Sequence, residues 1–152
     1  MLSNKAKYAT RALLDLTLQY DRGPVLIHDI AKRQEIPIKF LEQILLTLKH
    51  SGFVESRKGR GGGYFLAKPP SKITLGAVVR AIDGPLAPIS CVSVTRYMAC
   101  GCPDAATCGL RSVWQEARDQ LADVLDRATF AEIRERQEGL QARQGELIDF
   151  AI

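Results

Sequence analysis

Residues 37–67 read PIKFLEQILLTLKHSGFVESRKGRGGGYFLA, and this stretch decides the fold. Its first half predicts a helix from Pro37 to about Ser51, because apolar residues recur at helical spacing, proline suits a first helical turn and Gly52 suits the position just past the end. Its second half predicts a β-hairpin, in which strands 53–57 and 64–67 flank a glycine-rich tip.

A short predicted helix around Asp29 to Gln34 precedes this stretch, and only residues 35–37 separate the two helices. Two helices joined by so short a turn, the second with polar and charged groups on its free face, are the outline of a helix-turn-helix. The hairpin that follows adds a wing. Further helices are predicted from Ser3 to Tyr20 and after Thr74, which can cap a helix. We therefore expect a mostly α fold, a winged helix-turn-helix with a two-stranded β wing.

The free face of the second helix and the hairpin carry the candidate DNA-contacting residues, which are Lys39, Glu42, Gln43, Arg57, Lys58 and Arg60. Four glycines interleave with the basic residues of the hairpin. Glycine adds no side-chain bulk and exposes amide donors, which suits a loop that approaches a phosphate or a groove. A nucleotide-binding phosphate loop is the alternative, but no GK[ST] follows and the glycines lead into a strand.

Charge is distributed unevenly along the chain. Residues 1–70 contain 12 Lys and Arg against 6 Asp and Glu, a net charge of +6, whereas residues 71–152 contain 9 against 11, a net charge of −2. Only a segment that binds nucleic acid needs to neutralise phosphates. A solvated basic face would give the same numbers, so the charge agrees with the hairpin but does not establish DNA binding.

Composition narrows the class of protein. The chain has 152 residues, 46% of them hydrophobic and 25% charged, as in ordinary globular proteins. No stretch approaches the roughly 18 to 20 apolar residues of a membrane span, and the first residues lack a secretory signal, so we expect a cytoplasmic protein without a membrane partner. There is no Ser-His-Asp arrangement and no dinucleotide-binding fingerprint, so we expect no enzyme.

All four cysteines, Cys91, Cys100, Cys102 and Cys108, lie within 18 residues. Buried cysteines that act as small apolar residues are normally dispersed, so the clustering indicates a shared role. Thiolates bind soft metals and iron-sulfur clusters. A thiol-disulfide switch is a second interpretation. Structural zinc is a third, although the gaps of eight, one and five residues differ from the usual C-x(2-4)-C pairs.

The rest of the chain divides around this loop. We predict a DNA-binding domain over 1–84, a cysteine-rich sensor loop over 85–108, a dimerisation helix region over 109–137 and a mobile tail or frayed helix over 138–152. The long helix has a face of apolar residues that would be buried against a second subunit. These residues are Leu110, Val113, Trp114, Ala117, Leu121, Val124 and Leu125.

Residues 1–130, and above all FLEQIL and GRGGGY, resemble the Rrf-two family of bacterial winged-helix repressors. The resemblance implies a homodimer that binds double-stranded operator DNA and, in the sensing members, an iron-sulfur cluster in the cysteine loop. It also implies that Glu42 meets base edges in the major groove and that Lys58 enters the minor groove. Lys39 replaces a small polar residue of the family, so its contact would go to phosphate.

The cysteine spacing departs from the family pattern C-x5-C-x5-C. Cys102 and Cys108 keep the second interval, but ten residues separate Cys91 from Cys102. Arg111 stands where a cluster-binding member has a histidine ligand, and arginine cannot bind metal at neutral pH. Cys100 is then the candidate fourth ligand of a two-iron or four-iron cluster.

The function expected from the sequence is a repressor whose operator binding is tuned by this cluster or by the redox state of the loop. A cluster-free regulator that uses a thiol switch or responds to a partner protein is the alternative. A zinc-binding protein and a redox enzyme are the remaining alternative functions.

Overall fold

The structure, a computed structural model, describes residues 2–150. This part of the chain forms six α-helices and one β-hairpin, which in chain order are α1 (Asn4–Leu18), α2 (Ile27–Gln34), α3 (Ile38–His50), β1 (Val54–Arg57), β2 (Gly63–Leu66), α4 (Leu75–Asp83), α5 (Gly109–Arg127) and α6 (Phe130–Phe150). The mostly helical architecture with a two-stranded wing confirms the predicted fold class. None of these helices is long and apolar enough to cross a membrane.

Helix α1 is the centre of the N-terminal domain. Ser3 caps it by accepting a hydrogen bond from the amide of Ala6 at 3.0 Å. Its apolar stripe faces the core, because Ala9, Leu13 and Leu16 are all buried. The neighbouring helices and the wing pack on this stripe, so that α1 contacts α2, α3, α4, α6 and β2.

A partly buried ion pair fixes α2 against α1. The carboxylate of Asp15, whose side chain is only 2% exposed, accepts hydrogen bonds from Arg33 Nε at 2.9 Å and Nη2 at 2.8 Å. Gln34 Nε2 donates to the same carboxylate at 3.2 Å. No local sequence pattern predicts this ion pair, because the two residues lie 18 positions apart. It sets the orientation of the first helix of the helix-turn-helix.

The turn between α2 and α3 has the predicted length of three residues. Glu35 adopts a left-handed conformation with φ of 51°, which ends α2, and Ile36 is buried in the core. Pro37 precedes the first residue of α3, as the sequence predicted. Helix α2 begins at Ile27, two residues before the predicted start.

The wing is an antiparallel hairpin in which Val54 lies opposite Leu66 and Arg57 lies opposite Gly63. Strand β1 begins one residue later than predicted and ends as predicted, whereas β2 is shifted by one residue toward the N-terminus. A residue outside the hairpin also pairs with it, since Val25 and Tyr64 exchange two backbone hydrogen bonds of 2.8 Å. The wing is therefore anchored to the α1–α2 connection.

The chain returns to its first core after α5. The sequence Thr-x-x-Glu at 129–132 predicts a capping box, and Thr129 and Glu132 form it, with bonds of 3.1 and 3.2 Å between side chain and backbone. Phe130, at the start of α6, is 1% exposed and belongs to the same core cluster as Leu13 and Leu41. The region after the cysteine loop thus packs against the N-terminal domain.

Two segments differ from their predicted conformation. Residues 86–107 were expected to lack secondary structure, but Ser90–Val92 forms a 3-10 turn. Helix α6 continues through Gly139 and Gly145 to Phe150, where a frayed helix or mobile tail was expected for 138–152. Residues 151 and 152 of that segment lie outside the described part, and its mobility stays a prediction.

The Asp15–Arg33 pair generates a stability prediction. Replacing Arg33 with alanine leaves a buried carboxylate with Gln34 alone, so we expect the free energy of unfolding to fall by about 1 to 3 kcal/mol. Arg33 is 40% exposed, which keeps the loss below that of a fully buried pair. Arg80→Ala is the control, because its ion pair with Asp126 is exposed on both sides and contributes at most about 1 kcal/mol. Urea unfolding measures the free energy of unfolding of both variants. Equal losses in the two variants would contradict the stabilising role assigned to the Asp15–Arg33 pair.

Candidate nucleic-acid interface and cysteine loop

The outer face of α3 is polar and open to solvent. Lys39, Glu42 and Gln43 are all exposed. The opposite face is the core side of the helix, with Leu41, Ile44, Leu45 and Leu48 at 0% exposure. The three predicted contact residues on α3 therefore share one stripe, as their spacing requires.

The three predicted contact residues of the wing are also exposed, with Arg57 at the end of β1 and Lys58 and Arg60 in the tip. Two of the glycines are required by the fold itself. A Cβ at Gly62 would lie 2.2 Å from the carbonyl oxygen of Arg57, and one at Gly63 would lie 2.4 Å from that of Val25. The sequence predicts contact of these glycines with a groove, whereas backbone packing within the wing at Gly62 and against Val25 at Gly63 already demands them.

One side-chain contact joins α3 to the wing. Lys49 Nζ donates a hydrogen bond to Ser56 Oγ at 2.7 Å. The helical spacing predicts Lys49 on the free face of the helix, but its side chain is half-buried and turned toward β1. No sequence signal distinguishes it from Lys39, because the difference arises from the packing of β1 beside the last turn of α3. Lys49 is a positioning residue for the wing.

The four cysteines are thiols in different environments. Cys91 is buried in the 3-10 turn, Cys100 and Cys108 are half-buried, and Cys102 is exposed. Cys108 caps α5, since its Sγ accepts a hydrogen bond from the amide of Arg111 at 3.4 Å. The loop therefore begins and ends on defined structure, with the two middle cysteines between.

The thiols are close enough to change one another's ionisation. Hydrogen bonds from the thiol and then the backbone of Cys102 lower the pKa of Cys100. Hydrogen bonding to Cys100 and the charge of its thiolate raise the pKa of Cys102 to about 11. Burial, followed by the charge of Cys100, raises the pKa of Cys91. Cys100 is thus the thiol around which Cys91 and Cys102 are arranged, and it is the preferred thiolate.

The donor set fits a soft metal centre, because thiolates are its preferred ligands. The charge of Cys108 also acts on Cys102, which places the fourth thiol near the group. Within residues 2–150, however, no three His, Cys, Asp or Glu side chains lie close enough together to hold a single metal ion. The described part of the chain therefore contains interacting thiols but no preformed metal site.

Two arginines attach the Cys91 turn to α5. Arg111 Nε donates to the carbonyl oxygen of Cys91 at 3.2 Å, and Arg118 Nη1 donates to that of Val92 at 2.5 Å. Arg111 occupies the position at which the family resemblance suggested a histidine ligand. Its side chain instead links the first cysteine to the long helix.

Helix α5 presents an apolar face to solvent. Its residues include no fully buried side chain, and the predicted face contains exposed large apolar residues, namely Leu110, Val113, Trp114, Leu121 and Val124. Leu125, also predicted on this face, is half-buried. Monomeric proteins rarely expose so continuous an apolar stripe.

The helix-turn-helix, its anchored basic wing and the cysteine loop that leads into a long helix define a winged-helix transcriptional regulator. The sequence profile of the Rrf2 family, described as iron-dependent transcriptional regulators, matches residues 2–136. The chain belongs to this family. It is therefore a transcriptional regulator and not an enzyme, as its sequence predicted.

Relatives and solved structures agree with this assignment. An rrf2-like HTH-type transcriptional regulator of Rhodobacter capsulatus is 39% identical, over 88% of this chain and 91% of that protein. IscR of Escherichia coli is 36% identical, over 91% and 83%. The structure of CymR, the global cysteine regulator of B. subtilis, has a TM-score of 0.76 with 27% identity, covering 90% of this chain and 97% of CymR. IscR of T. potens has a TM-score of 0.75 with 29% identity, covering 93% and 90%.

Proposed function

We propose that the protein is a homodimeric repressor that binds operator DNA through α3 and the wing, and that an iron-sulfur cluster held by the cysteine loop tunes this binding. The observation that supports the DNA-binding part is the contact between Lys49 and Ser56, which holds the exposed stripe of α3 and the basic wing as one unit.

The chemistry of the exposed residues suits a duplex. Glu42 on α3 can accept a hydrogen bond from cytosine N4 in the major groove. Lys58 and Arg60 on the wing suit the negative potential of a narrow minor groove, and Lys39 suits a phosphate. Gln43 and Arg57 lie beside these groups in the chain and would add contacts to the same duplex.

The exposed apolar stripe of α5 supports the proposed dimer. An exposed stripe that contains Trp114 and Leu121 would be covered by the same stripe of a second copy, as in isologous helix pairs. Two copies also match the way in which helix-turn-helix proteins bind paired half-sites.

The four thiols of the cysteine loop support the proposed cluster. Cys91, Cys100, Cys102 and Cys108 supply the soft ligands that iron-sulfur clusters take, and the family profile describes iron-dependent regulators. A bound cluster would supply a redox-sensitive link between the two ends of the loop. Arg111 and Arg118 connect the Cys91 turn to α5, so a change in the loop would alter the dimer helix and the spacing of the two wings. Couplings of this kind are worth about 1 to 3 kcal/mol.

A cluster-free thiol switch is the second candidate. It is favoured by the interaction of Cys100 with Cys102, in which one thiol is the preferred thiolate and the other the preferred thiol. This pairing is the starting state for disulfide exchange, provided that an external oxidant accepts the electrons. A structural neighbour of this chain, CymR of B. subtilis, is named the global cysteine regulator, which supports keeping a candidate without a cluster.

The wing can be tested through the salt dependence of DNA binding. Lys58→Ala with Arg60→Ala should weaken binding to mixed-sequence duplex and flatten the plot of log affinity against log salt by about 1 for each lost phosphate contact. Electrophoretic mobility shift or fluorescence anisotropy at several salt concentrations measures this slope. The control is Arg136→Ala with Arg143→Ala, which removes two exposed charges from α6. Unchanged affinity and slope in the wing variant would refute the proposed wing contact.

Anaerobic purification tests the cluster. We expect iron and acid-labile sulfide in proportion to the protein, together with visible absorption. The Cys100→Ala variant should lose all three, because Cys100 is the central thiol of the group. Protein that contains stoichiometric zinc, or thiols alone, with no iron would overturn the cluster. In that case a change in operator affinity between reduced and oxidised protein, abolished by Cys102→Ser, would identify the thiol switch.

The dimer helix is tested by a charge placed in its apolar stripe. Leu121→Glu should convert a dimer into a monomer in analytical ultracentrifugation, because a carboxylate would be buried without a partner. Ser112→Glu adds the same charge to the same helix outside the stripe, and it should remain dimeric. A wild-type protein that sediments as a monomer, or a Leu121→Glu variant that dimerises as well as wild type, would exclude this interface.

A further inference from the structure

The exposed stripe of α3 has a fourth member that is apolar. Leu46 follows Gln43 by three residues and Glu42 by four, and it is 53% exposed. Together with Lys39 it completes the spacing i, i+3, i+4 and i+7 on one face of the helix. The stripe proposed to meet the duplex therefore includes one large side chain with neither charge nor hydrogen-bonding group.

Core packing does not account for Leu46. The inward face of α3 is already complete, with its leucines Leu41, Leu45 and Leu48 at 0% exposure. An exposed leucine loses the free energy that burial would give, about 1.5 to 3 kcal/mol for a fully buried side chain. Its place at the C-terminal end of the polar stripe, one turn after Glu42 and Gln43, is where a partner bound to those residues would cover it.

The partner that covers the neighbouring residues would also cover Leu46. The base-contacting residues of a homeodomain recognition helix have the same i, i+3, i+4, i+7 spacing, and the helix lies in the major groove along that stripe. Among the base edges in this groove, the C5-methyl of thymine is the apolar group. Leucine can contact this methyl, whereas it cannot pair with a phosphate or with a polar base edge.

We propose that Leu46 is a specificity-determining residue that contacts the C5-methyl of a thymine in the operator. The proposal rests on the DNA-binding function proposed above and adds to it the base at one position. Four residues along a helix advance about 6 Å, which is about two base-pair steps. The thymine is therefore expected about two steps from the base pair that Glu42 contacts, once in each half-site.

The test uses the full chain prepared without oxygen and a library of randomised duplexes. Selection is carried out with wild type, with Leu46→Ala and with Leu140→Ala, a control that truncates a similarly exposed leucine on α6. In the duplex that wild type enriches, each thymine is then replaced singly by deoxyuridine, which removes the methyl and keeps the base pairing. Circular dichroism and thermal unfolding confirm that all three proteins are folded.

We expect one thymine in each half-site at which deoxyuridine weakens wild-type binding about fourfold, the effect of one buried methyl group. Leu140→Ala should retain this sensitivity, and Leu46→Ala should lose it while keeping the bases contacted by Glu42. Three outcomes would overturn the proposal: no methyl-sensitive thymine, full sensitivity in Leu46→Ala, or equal weakening of every duplex by that variant. If wild type enriches no sequence, the DNA-binding function proposed above fails as well, and that outcome is distinct from the other three.

Discussion

The wing depends on a close approach between two backbones. Val25 and Tyr64 exchange a pair of hydrogen bonds, and this is sterically possible because residue 63 has no side chain. Gly63 has a φ of 142°, a region that side-chain-bearing residues rarely adopt. The pair attaches the hairpin to the connection between α1 and α2, while Lys49 attaches it to α3. The hairpin is thus fixed on two sides before any ligand arrives, and little conformational entropy remains to be lost on binding.

The same domain is tied to the segment that follows the cysteine loop. Phe130 fills the core beside α1, and the exposed Arg80–Asp126 pair connects α4 to α5. Arg111 and Arg118 connect α5 in turn to the turn that contains Cys91. A continuous set of contacts therefore joins the cysteine loop to the helices of the DNA-binding domain. Physical continuity of this kind is what a regulator needs if one region is to bias another, although coupling itself is a thermodynamic quantity.

The cysteine loop combines order at its ends with irregular structure between them. Cys91 and Cys108 are placed by a 3-10 turn and by the start of α5. Cys100 and Cys102 lie in the connecting segment, where their mutual interaction separates their pKa values. An irregular backbone can bring donors from several directions to one point, which a regular helix or strand cannot do. The spacing that departs from the family pattern is accommodated within this connection.

The sequence alone determined the helices of the N-terminal domain, the hairpin and the class of protein. The reason is that apolar periodicity, short turns and capping residues act locally, as the confirmed caps at Thr74 and Thr129 illustrate. It also identified the exposed residues of α3 and the clustered cysteines. Tertiary structure alone decided that Lys49 turns inward, that Asp15 pairs with Arg33, that Gly63 meets Val25 and that Phe130 returns to the first core. Each of these depends on residues brought together from distant positions or from separate elements, and no local pattern encodes that proximity.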